Sequence, residues 1–490
     1  MKKIDCLFVH PNAAHLIYQE LSNELSAVEP PIWAALLANG LRYKGFEVDI
    51  LDCEAEKLSV IDASDKINEI APRLVAIIVY GQQPSASTQN MTGASALCKE
   101  LKTRYPELKI ILVGLHPSAL PKLTIEQEPV DFVCQGEGLH TLDALLQSRY
   151  TPDLQKVPGL WYREDGIVRN TPPALVIEDL ETSLPGIAWD LLPMNKYRTS
   201  NWHSFTNNMA RTPFASLYTS LGCPFKCTFC CINAPFGKPS FRYWKPEFII
   251  REFDKIAKMG IRNIKIADEM FVLNENHFMR LCELIIERNY DFNIWAYARV
   301  DTVKEKYLET LGKAGVKWLA LGIESGNKAV RTDVVKGRFE DINIYDIVKK
   351  VQGHGIRVMG NFIFGLPEDT LGTMQETLAL AIDLQCEMVN FYCAMAYPGS
   401  KLYELAIQEK WELPDSWLGY SQHSFETKPL PTRHASAAEV LKFRDDAFHQ
   451  YFSLPSVLEK TRSIFGQTTH DDIISMTSKR LRRKLTHETN

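Results

Sequence analysis

The chain has 490 residues, 45% of them hydrophobic and 23% charged, which is enough for two or three domains with substantial cores. A net charge of -5 lacks the basic excess of a bulk nucleic-acid binder, and no stretch reaches the about 18 apolar residues that a membrane span needs. Eleven cysteines are too sparse for a disulfide scaffold and the apolar run at Ile4 is too short for a signal peptide, so a reducing, cytoplasmic setting is expected.

Residues 1–149 alternate short apolar runs with helical patterns. The runs are Ile4 to Val9, Phe46 to Leu51, Leu74 to Val79, Lys109 to Val113 and Val130 to Cys134, and their continuous Val, Ile and Leu content suits strands buried on both faces. Between the first two, Pro31 to Gly45 reads as a helix that stops at its glycine. The expectation is an α/β, doubly wound (Rossmann-like) sheet, which binds ligands beyond the carboxyl ends of its strands. Those ends read His10-Pro-Asn, Tyr80-Gly81-Gln-Gln-Pro-Ser85, Gly114-Leu-His116-Pro-Ser118 and Gln135-Gly136-Glu137-Gly138. Taken alone, the pattern fits flavodoxin-like, receiver-like or cobalamin-binding domains, or a sheet that binds nothing. Cys6, Cys53, Cys98, Cys134, Cys282, Cys386 and Cys393 lie in apolar runs and read as small buried hydrophobes.

Residues 150–208 form a structured linker rich in Pro, Trp and Tyr, with a hairpin turning at Asp165-Gly166. It is expected to pack between two domains. Beyond it, an extended run from Ser216 delivers Cys223, Cys227 and Cys230 in a C-x3-C-x2-C spacing. Three thiolates on one loop suit three irons of a [4Fe-4S] cluster and leave the fourth open. A zinc site or coincidence is the alternative, but zinc knuckles come in pairs or with regularly spaced histidines, and no second knuckle follows. The spacing resembles the radical SAM superfamily, whose motif places an aromatic residue at Phe229, near the adenine of S-adenosylmethionine. Cys231, adjacent to Cys230, reads as packing.

Residues 209–402 then repeat strand-like runs at helix-sized intervals: the run before Cys223, Ile264 to Ala267, Phe292 to Ala298, Trp318 to Ile323, Val358 to Phe364 and Met388 to Ala396. This resembles the partial (β/α)6 TIM barrel of the superfamily, with its chemistry at the carboxyl ends of the strands. The resemblance implies that Asp268 or Glu269 accepts hydrogen bonds from the SAM ammonium and that Glu324 and Ser325 serve the ribose and methionine moieties. Gly360 and Ile363 belong to its adenine motif. Arg299 suits the SAM carboxylate because a guanidinium matches a carboxylate fork. Any one of these turns is more often structural than functional; five in register point to a site.

Placed before such a barrel, the first sheet resembles the cobalamin-binding domain of B12-dependent radical SAM enzymes. Tyr80, Gly81, Ser85, Gly114, His116, Ser118, Gly136 and Glu137 then read as corrin and tail contacts. The D-x-H-x-x-G motif of histidine-ligated cobalamin domains is absent, so neither His10 nor His15 is expected below cobalt. Residues 403–490 read as a helical C-terminal extension over the barrel mouth, with a helix from Gln422 to Phe452 and a basic run, Lys479 to Lys484, as a solvated tail. The implied cofactors are a [4Fe-4S] cluster, S-adenosylmethionine and cobalamin. The implied reaction is methylation of an unactivated carbon of a small molecule, fed by an electron donor such as flavodoxin or ferredoxin. A B12-dependent rearrangement, oxidation or cyclisation, or a non-catalytic sensor, are the other classes. No catalytic acid or base is identifiable, and Tyr297, Asn361, Asn390, Tyr392 and Tyr397 are candidate substrate contacts.

Overall fold

The five apolar runs of the first domain become parallel strands: β1 (Cys6–His10), β2 (Val48–Asp52), β3 (Leu74–Val79), β4 (Ile110–Gly114) and β5 (Phe132–Cys134). The computed structural model describes residues 3–19, 26–81, 87–150, 152–200, 203, 211–334 and 342–487. Every residue of β1, β3, β4 and β5 is buried, as expected for strands covered by helices on both faces. The strand order runs β2-β1-β3-β4-β5, so the direction of winding reverses between β1 and β3. Such a reversal opens a crevice at the carboxyl ends of those two strands.

The hairpin of the connecting segment, β6 (Leu160–Glu164) and β7 (Ile167–Asn170), does not stand alone. It extends the same sheet as an antiparallel edge, with Phe132 opposite Tyr162 and Cys134 opposite Leu160. The segment after it wedges between the domains. Asn39, on the Ile32–Tyr43 helix, donates to the carbonyls of Pro185 and Gly186, while Trp189 donates to Glu252 on a helix of the second domain.

The second domain is an open parallel sheet of six strands in plain sequential order: β8 (Phe214–Leu217), β11 (Asn263–Ile266), β12 (Asn293–Arg299), β13 (Val316–Glu324), β14 (Arg357–Phe364) and β15 (Met388–Cys393). Two short strands, β9 (Ser220–Leu221) and β10 (Arg242–Tyr243), pair antiparallel just beyond β8. They close the neck of the cysteine loop, leaving 222–241 as an excursion tied at its base.

The C-terminal region departs from expectation at two points. The helix begins at Ala437, not Gln422, because Ser436 and Glu439 form a reciprocal capping box there and Pro429 and Pro431 bar a helix upstream. The basic run is solvated at Arg480, Arg482 and Lys484 but not at Arg483. Arg483 is 2% exposed, pairs with Asp445 and donates to Ser424, Thr427 and Gln422, so it latches the last residues onto the Ala437–Phe452 helix. The preceding segment crosses to the first domain, where Trp417 donates to Glu128 and Gln19 donates to the carbonyl of His423. No helix among the described residues is long and apolar enough to cross a membrane.

Candidate active site

Side chains alternate across a strand, so residues two apart share a face. In β14, Met359, Asn361 and Ile363 line a cavity, while Gly360 packs outward: a Cβ there would lie 2.9 Å from the Phe362 ring and 3.2 Å from Cys386 Sγ. The same period in β12 brings Trp295, Tyr297 and Arg299 inward, and in β13 Ala320, Gly322 and Glu324. The cavity measures about 1200 Å3 and opens onto all three regions, with Tyr18 and Glu29 from the first domain and Arg444 and Arg483 from the C-terminal one.

Cys223, Cys227, Cys230 and Phe229 all line this cavity, whereas Cys231 is buried away from it. Gly222 turns the chain into the loop with φ +83°, where a Cβ would sit 2.6 Å from the Ser240 carbonyl oxygen. Farther along, Asn233 donates to the Cys223 carbonyl, and Thr228 takes the Val334 carbonyl and gives its own to Leu402. Burial pushes the Cys223 thiol up to about 12 and the Cys227 thiol up to about 11, with Arg299 opposing the rise at Cys227. Among the described residues no three His, Cys, Asp or Glu side chains group tightly enough for a single metal ion. A cubane asks for something else, one thiolate on each of three separate irons, and three cavity-facing cysteines on one pinned loop fit it.

The acidic pair at the end of β11 divides. Asp268 is 1% exposed and turned into the protein, where it accepts from Thr219 N at 2.6 Å, Thr219 Oγ1 at 2.5 Å and Ser220 Oγ at 2.6 Å. It therefore braces the residues leading into the cysteine loop. Glu269 faces the cavity with Oε1 buried and unpartnered. Burial, with the charge of Asp268 adding and Lys265 opposing, lifts its carboxyl to about 8.

Glu324 reaches the cavity through strain. Its φ is +68°, in the left-handed region that costs a non-glycine residue roughly 1–3 kcal/mol, and the β13–β14 register shifts between Gly322 and Glu324. The carboxylate folds back over Gly322, where a Cβ would lie 2.6 Å from Oε1. Burial lifts Glu324 to about 7, with Arg299 opposing. Ser325 does not reach the cavity; it is 0% exposed, bonds Thr377 and accepts from Asn327 N.

Arg299 is less free than its position suggested. Its Nε donates to Asp301 Oδ1 at 2.8 Å and its Nη2 to Asp301 Oδ2, so the fork already holds a carboxylate. Nη1 points at Cys227 Sγ, 3.9 Å away. Asp301 was not singled out from the sequence, although its spacing two residues after an inward arginine was visible.

The first sheet behaves differently. Tyr80 stacks on Trp33 at 5.2 Å, and Gly81 N donates to Ser87 Oγ, while Ser85 lies outside the described residues. His116 is fully buried, bonded through Nδ1 to Thr88 and edge-on to Trp417, and burial drops its imidazole to about 3. Ser118 Oγ stitches Gly114 O to Gly136 N, and Glu137 pairs with Arg242 and accepts from Ile177 N. None of these residues lines the large cavity. Gly114 is required by its neighbour strand, since a Cβ would lie 2.1 Å from the Val79 carbonyl oxygen. Gly136 is less crowded: at φ +132° a Cβ would meet Ala174 Cβ at 3.8 Å and the Pro235 carbonyl oxygen at 4.0 Å, ordinary contacts without a clash. Of these two turns, Gly136 leaves more room than Gly114 and lies against Pro235 of the cysteine loop.

Two families match this chain: the B12 binding domain over residues 21–146 and the Radical SAM superfamily over residues 217–381. An uncharacterized methyltransferase of Pyrococcus horikoshii is 30% identical over 440 residues, covering 88% of this chain and 89% of that one. The chain belongs to the cobalamin-binding radical SAM enzymes. An anaerobic magnesium-protoporphyrin IX monomethyl ester cyclase of Rubrivivax gelatinosus is 26% identical over 470 residues, covering 91% of this chain and 78% of that one. The solved structure of TsrM, a radical S-adenosylmethionine methyltransferase from Kitasatospora setae with cobalamin and a [4Fe-4S] cluster bound, aligns with a TM-score of 0.65 at 18% identity, over 95% of this chain and 89% of that chain. At that identity the likeness shows the fold. As a cobalamin-binding radical SAM enzyme, the protein uses a [4Fe-4S] cluster, S-adenosylmethionine and cobalamin.

Proposed function

We propose that the protein methylates an unactivated carbon of a small-molecule substrate. The observation that carries this reading is the single cavity that runs from the three cysteines to residues of the first domain. When bound, the cluster with S-adenosylmethionine supplies a carbon-centred radical and cobalamin supplies the methyl group. The chain's own residues position and shield these reactions. Cys223, Cys227 and Cys230 hold the irons, Glu269 receives the SAM ammonium on its unpartnered oxygen, and Glu324 meets the ribose hydroxyls. Phe229 and Ile363 flank the adenine. Tyr297, Asn361, Asn390 and Tyr392 line the same cavity and offer hydrogen bonds to the substrate, while C-terminal residues such as Arg444 and Phe448 complete its wall. A low-potential flavodoxin or ferredoxin in the cytoplasm suits the electron supply.

The test is the product pair formed by the anaerobically reconstituted enzyme under reducing conditions. Methyl transfer spends S-adenosylmethionine in two ways, so both S-adenosylhomocysteine and 5'-deoxyadenosine are expected. A second reading, ring closure or oxidation without net methyl transfer, draws support from the cyclase of Rubrivivax gelatinosus. It requires 5'-deoxyadenosine without S-adenosylhomocysteine, and that outcome would replace the first reading.

A further inference from the structure

We propose that Arg299 acts on the cluster and not on the SAM carboxylate: held against Cys227 by Asp301 and Phe225, it raises the reduction potential of the iron–sulfur centre. Four contacts carry this. Nε and Nη2 of Arg299 are engaged by the two oxygens of Asp301, which uses up the edge of the guanidinium that would fork onto a second carboxylate. Nη1 is aimed at Cys227 Sγ at 3.9 Å. The guanidinium carbon stands 3.7 Å over the centroid of the Phe225 ring, two residues before that cysteine. Thr302 Oγ1 donates to the Arg299 carbonyl at 2.9 Å, fixing the turn that brings Asp301 back onto the fork. Arg299 and Asp301 side chains are only 7% and 10% exposed, so water screens neither the charge nor the hydrogen bond.

The chemistry follows from charge. Taking up one electron from a low-potential one-electron donor makes the cluster more negative by one unit, and no bond forms or breaks in that step. A fixed cation beside a ligating sulfur, and an N–H aimed at that sulfur, both favour the reduced form and so raise the potential. Asp301 holds the cation in place and partly offsets it. Removing Arg299 therefore lowers the potential twice over, by deleting a positive charge and by leaving a carboxylate next to the cluster. The reading of Arg299 as a carboxylate fork predicts something else: weaker S-adenosylmethionine binding with an unchanged cluster.

The experiment is a redox titration of reconstituted protein without S-adenosylmethionine, following the reduced cluster by its paramagnetic resonance, in wild type, Arg299→Gln and Arg299→Lys, with iron and sulfide contents matched. At the solution potential where half of the wild-type cluster is reduced, the ratio of reduced to oxidised cluster in Arg299→Gln should fall about tenfold, the scale of a lost charge-assisted hydrogen bond. Arg299→Lys keeps the charge without the fork and should fall less. An Arg299→Gln ratio equal to wild type overturns the proposal. So does loss of the cluster from both variants, because a residue that only tunes a potential is not needed to hold the irons. Absence of iron from wild type would strike the cluster assignment instead, which is a separate failure.

Discussion

The mouth of the barrel and the rim of the first sheet face one another, yet they are built in opposite ways. At the barrel, parallel strands in sequential order aim every second side chain into one cavity, so Arg299, Glu324 and Ile363 arrive there from three neighbouring strands. At the first sheet, the residues of the turns bond to one another and to distant partners: Ser118 to Gly136, His116 to Thr88, and Glu137 to Arg242 on the other domain. The difference teaches that a site carried on strands follows from the two-residue period, whereas a site carried on loops depends on partners that the local sequence does not contain.

The largest expected effect breaks the barrel side outright. Cys227→Ala should lose the cluster's iron and visible absorbance, and Cys231→Ala, which alters a buried residue outside the cavity, should keep both. Next, Glu324→Ala should leave the cluster intact but slow 5'-deoxyadenosine formation by roughly 10- to 150-fold, the equivalent of about 1.5–3 kcal/mol for a hydrogen bond to a charged group. Unchanged deoxyadenosine yield in that variant would remove Glu324 from the SAM site.

The two sides can then be compared through glycine. Gly114→Ala forces a Cβ to 2.1 Å from the Val79 carbonyl oxygen, so the strand pair must separate; a stability loss of at least about 2 kcal/mol is expected in denaturant unfolding. Gly136→Ala meets no clash, only ordinary contacts at 3.8 Å and 4.0 Å, and should lose less stability from its backbone strain, while weakening cobalamin retention on gel filtration. Equal stability losses with cobalamin binding untouched would mean that the Gly136 turn holds nothing.

A smaller effect comes from the raised carboxyls of Glu269 and Glu324, at about 8 and about 7 against 4.5 for the ordinary group. Between the unfolded and folded values the folded chain retains a proton that the unfolded chain has released. Stability of the cofactor-free protein should therefore fall as pH rises from about 4.5 and level off above about 8. Glu269→Gln should flatten the upper part of that decline in thermal unfolding. A stability that rises across this window would contradict the assignment.

Much of this was legible. The strands of both sheets fell where Val, Ile and Leu runs placed them, because burial on both faces leaves a continuous apolar signal. The cysteine loop was legible from spacing alone. What was not legible involved tertiary partners. Nothing local distinguishes Asp268 from Glu269; Thr219 and Ser220, nearly fifty positions earlier, turn the first inward and leave the second facing the cavity. Likewise, nothing local marks Arg483 within the basic run Lys479 to Lys484: Arg480, Arg482 and Lys484 are exposed, while Asp445 and three acceptors fold around Arg483. The hairpin was found but not its sheet, since an antiparallel edge strand carries no mark of the neighbour it will choose.

The smallest expected effect is none, and it concerns His10 at the end of β1, beside the crevice where the sheet reverses. A histidine that ligates cobalt must present a neutral ring nitrogen. His10 is poorly suited to that: burial would lower its pKa, but the hydrogen bond to Glu54 and the charge of Asp52 outweigh it, and the net shift is upward. Its Nε2 stands 3.5 Å from Glu54 Oε2, a carboxylate that favours the protonated ring. His15 is exposed, and His116, though neutral, is covered by the ring of Trp417. Cobalamin bound to the wild-type protein should accordingly show no nitrogen superhyperfine splitting in the paramagnetic resonance of its cob(II)alamin form, and His10→Ala should give the same spectrum. A splitting present in wild type and absent in His10→Ala would show that the imidazole escapes Glu54 to reach the metal, and that the rim of the first sheet rearranges when the corrinoid enters.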